Sequence, residues 1–228
     1  MNYLAIVQEL HELAGCSGPL PSTVSGATGE TLRLVNWVRR AWDMIQARSP
    51  AWDWLQAEFS FNTTAGVREY TPTAAGLSDR FRKWHGGTLR CYLAATGVAD
   101  EQFLVDWDYD VLRDTYLYGS QSTNQSRPVV FAVRPEDRAL VLADIPDAVY
   151  TVRGRYQKGP RTLTFDNESP ECPEEFHRAI TYRALMMYGA YEAAAEVAQE
   201  GVTNYRALMR RMVDECLPDV SVGGGGEW

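Results

Sequence analysis

The 228-residue sequence predicts an α+β protein: a helical bundle from the N- and C-terminal helices, an inserted antiparallel β domain, and an extended C-terminal tail. Two observations carry that expectation. Apolar residues recur at helical spacing near both ends of the chain, whereas the middle consists of short β-branched and aromatic runs divided by turn formers. The bundle is thereby assigned residues 1–55 and 170–217, the β domain residues 56–169, and the tail residues 218–228.

At the start of the chain, Leu4, Val7, Leu10 and Leu13 lie three apart with Ala14 beside them, a short amphipathic helix that stops at Gly15. The stretch GCSGPLPSTVSGATGE that follows is a connecting loop by composition. It lacks both G-x-x-x-x-G-K-[ST] and G-x-G-x-x-G, and no strand precedes it, so it does not read as a phosphate cradle.

A second helix is predicted from Thr31 to Arg48. Leu34, Val35, Trp37, Val38, Ala41, Trp42, Met44 and Ile45 share one wide arc, and Arg33, Asn36, Arg39, Arg40 and Asp43 take the other. An apolar arc of about half the circumference exceeds what one partner helix covers, which points to packing in a bundle or between subunits. Pro50 closes the segment.

Between Phe59 and Phe165 the runs EFSFNT, REYT, TLRCYLA, QFLVDW, PVVFAVR, ALVLAD and VYTVRGRYQ read as strands. Their tight spacing favours antiparallel pairing, because a parallel crossover needs a dozen or more residues. Within this block only Asp108 to Tyr118 suits a helix. Pro173 then opens a helical region, with Glu174 and Glu175 placed at the positive end of its dipole. Helix continues to Leu217, with a break expected at Gly189 or Gly201, and alanines at 190, 193, 194, 195 and 198 would allow close helix approach.

Charge narrows the function. With 22 Lys+Arg against 30 Asp+Glu the net charge is −8, which disfavours a protein that holds nucleic acid by neutralising phosphates. Arg39–Arg40 and Arg210–Arg211 are isolated doublets rather than a basic recognition helix, so a DNA-binding regulator is disfavoured. Passage of DNA through an acidic channel remains compatible, since repulsion prevents sticking. The four cysteines are dispersed and form no C-x-x-C pair, which suits a reducing compartment. Gln8, Glu9 and Glu12 interrupt the N-terminal helix, which reads as neither a signal peptide nor a membrane span.

No cofactor, metal set or catalytic residue is expected. His11, His85 and His177 lie in different elements without a second ligand at i+3 or i+4. The run Asp106, Asp108, Asp110 imitates a calcium loop, but Val111 stands at the sixth position and Leu117 at the twelfth, so Asp108 or Asp110 reads better as a helix cap. Ser120 lacks the G-x-S-x-G setting, and Cys172 with His177 is a weak pairing. Glu168, Glu171, Glu174 and Glu175 need only the helix start to explain them. The alternative is a hydrolase whose active site is undetected.

The segments TGETLRLVNWVRRAWDMIQ followed by P-x-W-x-W-L, DYDVLRDTY, RPVVFAVRPEDRALVLADIPDAVYTVRGRYQKGP and PEEFHRAITYRALMMYGAYEAA resemble the head-to-tail adaptor (connector) proteins of tailed bacteriophages. The order of elements is similar also to that of tail tubular protein A of short-tailed phages. The resemblance implies a non-enzymatic ring, commonly twelvefold, in the virion neck between head and tail, assembled in the host cytoplasm. Its implied partners are the portal protein, the next tail component (a nozzle or stopper), further copies of itself, and double-stranded DNA passing through the lumen, with no membrane.

By position alone, the candidate portal-binding residues are Val222, Gly223, Gly224, Gly225, Gly226, Glu227 and Trp228. Four glycines let the backbone pass close to another surface, at an ordering cost of about 1–2 kcal/mol per residue. Trp228 offers an aromatic anchor to offset it, and Glu227 and the terminal carboxylate offer pairing to basic groups.

Overall fold

A computed structural model describes residues 1–77 and 80–218. The α-helices are α1 (Tyr3–Leu13), α2 (Gly29–Ala47), α3 (Tyr109–Leu112), α4 (His177–Tyr191) and α5 (Ala195–Cys216). The strands are β1 (Gln56–Asn62), β2 (Glu69–Tyr70), β3 (Phe81–Trp84), β4 (Arg90–Leu93), β5 (Gln102–Phe103), β6 (Val105–Asp106), β7 (Gln125–Ser126), β8 (Val130–Val133), β9 (Leu140–Leu142), β10 (Ile145–Pro146) and β11 (Tyr150–Lys158). They fall into two units, one formed by Met1–Trp54 with the chain from Pro160 onward, the other by Leu55–Gly159.

In the first unit α1, α2 and α5 all pack on α4. Asn2 caps α1 by accepting the Ala5 N–H at 2.9 Å. The apolar faces read from the sequence converge: Ile6, Val7 and Leu10 of α1, Leu34, Val38, Trp42 and Ile45 of α2, and Ile180, Ala184 and Leu185 of α4 are fully buried. Trp42 donates its indole N–H to the Arg161 carbonyl at 2.7 Å, and Gln46 clasps the backbone of the same residue, donating to its carbonyl at 3.1 Å and accepting from its N–H at 2.8 Å. Residues 160–169 therefore belong with the helices, ten residues before the boundary expected at 169.

Neither Gly189 nor Gly201 breaks the last helical region; the chain turns at residues 192–194. Ala193 takes a left-handed φ of 55°, and the Ala194 N–H caps the Gly189 carbonyl at 2.9 Å. Both glycines are contact points instead. A Cβ on Gly189 would lie 2.6 Å from the Ala198 nitrogen, and one on Gly201 would lie 3.0 Å from the Met186 nitrogen. Absent side chains let α4 and α5 approach, which outweighs the poor helix propensity of glycine.

The second unit is strand-built. Its main sheet runs β1-β11-β4-β5, with β3 also paired to β11, and a second runs β2-β9-β8-β6. The long pair β1–β11 is antiparallel from Gln56↔Gln157 to Asn62↔Thr151. Phe59, Phe61, Trp84, Cys91, Val152 and Tyr156 share its buried cluster. Two short pairs depart from the antiparallel expectation: β6–β8 and β7–β10 are parallel. Each joins segments separated by a long return rather than a tight turn, α3 lying between β6 and β8. Asp108 caps α3 by accepting the N–H groups of Asp110 and Val111, the role read from the sequence, and one π-helical turn at Arg113–Leu117 follows.

Candidate functional site

The outward arc of α2 carries a cleft with charged and aromatic walls. Arg33, Asn36, Trp37, Arg39, Arg40, Asp43 and Tyr191 line a cleft of about 620 Å3. Helical spacing puts Arg33, Asn36 and Arg40 on the face opposite the buried stripe. Trp37 sits at the margin, where its ring meets Tyr188 edge-on at 5.9 Å and Tyr191 at 5.5 Å. The Arg33 guanidinium lies 4.9 Å from the Tyr191 ring centroid, and Arg39 donates to Asn36 Oδ1 at 2.7 Å. Burial raises the Asp43 carboxyl above its ordinary value, against the pull of Arg39. Met44, on the apolar arc in sequence, is 43% exposed, so this arc is not fully covered within the subunit.

The outer face of the main sheet in the second unit is also charged. Glu58, Arg90, Arg153 and Arg155 border a cleft of about 420 Å3. Glu101 accepts from Arg153 at 2.5 Å and from Arg90 at 3.1 Å, and these guanidiniums, Arg153 first, hold its carboxyl below the usual range. Arg90 stacks over Phe103 at 4.1 Å, although that ring remains 58% exposed.

The chemically versatile side chains are engaged structurally. Burial pushes the Cys91 thiol up to about 11 and the Cys172 thiol up to about 12, away from the thiolate a nucleophile requires. His177 meets the Cys172 carbonyl through Nε2 at 3.1 Å, so the sequence pair touches through backbone, not thiol. His85 bonds Gln56 at 2.5 Å. Glu168 accepts from the Thr164 and Phe165 N–H groups and from Arg161, closing a loop. Among the described residues no group of three or more His, Cys, Asp or Glu could hold a metal ion, and no helix is long and apolar enough to cross a membrane.

The candidate portal-binding residues Val222 to Trp228 lie outside the described residues. The α2 cleft was not legible as a site, because the one wall that α2 does not supply, Tyr191, comes from α4, more than a hundred residues further along the chain. The available signal was the exposed arginine arc of α2, which as sequence looks like an ordinary solvated face.

Charged, aromatic-lined faces on helices and sheet are the equipment of a structural protein that acts through contacts with others. The profile of the SU10 adaptor protein family matches residues 1–221, so the chain belongs to that family and is a structural adaptor protein of a bacteriophage. No curated protein matches the chain.

Proposed function

We propose that this adaptor forms a ring, expected to be twelvefold, between the portal and the next tail component, with DNA passing through its lumen. The observation that carries the reading is the family match over residues 1–221. Net charge of −8 supports it, since an acidic lumen would repel the duplex and let it slide. In this reading the role is assembly rather than catalysis, in keeping with raised thiol pKa values and histidines held by structural hydrogen bonds. The likeness to tail tubular protein A belongs to the same proposal and rests on the order of elements. Residues Val222 to Trp228 are assigned to the portal contact, the protein to the virion neck, and its assembly to the host cytoplasm.

The test is imaging and mass measurement of the purified protein with and without purified portal rings. The expected result is a subunit that is small alone and adds to the portal as a closed ring. No portal-dependent gain in oligomer mass would overturn the proposal.

A further inference from the structure

Two outward faces of the first unit carry charged side chains that make no ion pair among the described residues, although Arg39 lowers the Asp43 carboxyl at longer range. Around the α2 cleft stand Arg33, Arg39 and Arg40 with one carboxylate, Asp43, and none of the three arginines makes an ion pair among the described residues. On α5, Glu196 and Glu200 are exposed, four residues apart on one face, and neither has an ion pair among the described residues. The helix dipole favours Glu196 in the first turn of α5, but the two like charges repel at that spacing, and a cation brought to the face would relieve the repulsion. The two faces lie on different sides of α4: Tyr188 and Tyr191 meet α2 through Trp37, whereas Gly189 backs onto Ala198 of α5.

A closed ring of identical subunits needs two unlike, complementary faces on each copy. Guanidinium forks suit carboxylates, and the aromatic wall of Trp37 and Tyr191 supplies contact area beside them. We propose that the arginine cleft of α2 on one subunit receives the Glu196–Glu200 face of α5 on the next, forming a lateral contact of the ring. This inference rests on the ring reading above. The occupant is a second copy of the chain, not nucleic acid: the same molecule supplies the complementary carboxylates, and its net charge of −8 opposes phosphate.

Charge exchange tests it. Two variants are prepared, Arg33→Glu with Arg40→Glu, and Glu196→Arg with Glu200→Arg, all at exposed positions, with folding checked by circular dichroism. Ring formation on purified portal rings is read by native mass spectrometry. Each variant alone should lose ring formation at least tenfold, because its two faces now carry the same sign. An equimolar mixture should restore it, because unlike copies can alternate around the ring. If a double variant does not fold, Arg40→Glu and Glu200→Arg alone enter the same complementation. A wild-type chain that builds no ring on the portal overturns the ring reading and this contact with it. A wild-type ring, with variants that assemble alone or fail to complement, overturns the contact only. Assembly lost in the α2 variant but normal in the α5 variant places another partner, such as DNA, in the cleft and likewise overturns it.

Discussion

Gly189 of α4 faces Ala198 of α5 so closely that a Cβ on the glycine would lie 2.6 Å from the Ala198 nitrogen and 2.8 Å from its Cα. Both are backbone atoms, so no side chain can swing aside. Gly189→Ala therefore sets a helix-propensity gain of about 1 kcal/mol against a displacement of one helix from the other. Overpacking of this kind costs about 1–3 kcal/mol, and the net result should be destabilisation. A melting temperature unchanged or raised in the alanine variant would show that α5 moves freely.

Trp42 is the anchor of the first unit. It is fully buried and stacks with Trp54 at 6.4 Å between centroids. Trp42→Ala should cost about 3–5 kcal/mol, as large aromatic truncations in cores do. Trp42→Phe should cost less, since Gln46 still donates to the Arg161 carbonyl at 3.1 Å when the indole N–H is gone. Denaturant titration of both variants checks the order; equal losses would mean that the hydrogen bond, not the packing, dominates.

Stability should fall in mild acid. Burial lowers the pKa of His177 from its ordinary 6.5, and burial with nearby Arg155 and Lys83 lowers that of His85. Below about 6.5 the unfolded chain takes up protons that the folded chain resists. The contribution of each neutral histidine is therefore fully present above 6.5 and is lost as pH falls toward the lower folded-state value. Melting temperatures from pH 7.5 to 5 should decline, and His177→Gln should flatten the decline. Parallel curves for the variant and the wild type would remove His177 as a cause.

Deleting residues 223–228 should weaken co-sedimentation with portal rings while leaving circular dichroism unchanged. In the proposed ring a single tail contact can be weak, because many copies act together. Partial truncation at Trp228 alone should then give an intermediate loss. Full binding by the truncated protein would remove the docking role of the tail.

Local patterns explain why much of this architecture could be read in advance. The runs from EFSFNT to VYTVRGRYQ contain strands because they are rich in β-branched and aromatic residues; in β1 the alternation buries Phe59 and Phe61 on one face, whereas β9 is buried throughout. The helices at Tyr3–Leu13 and Gly29–Ala47 followed apolar spacing, and Asp108 capped as its short side chain allows. Strand β3 escaped notice because charged Arg82 and Lys83 interrupt the alternation between Phe81 and Trp84. The turn at 192–194 is hidden for the opposite reason: alanines favour helix, whereas here Ala193 takes a φ of 55° where α4 ends and the chain turns back so that α5 packs on α4.

The sequence by itself determined the element types, the α+β class and the acidic balance, since these depend on neighbouring residues and on sums. Tertiary structure decided the parallel pairs β6–β8 and β7–β10, the use of Gly189 and Gly201 as contacts, and the meeting of Arg33 with Tyr191. Each of these joins residues distant in the chain, and chain distance carries no record of which surfaces the burial of apolar faces will bring together.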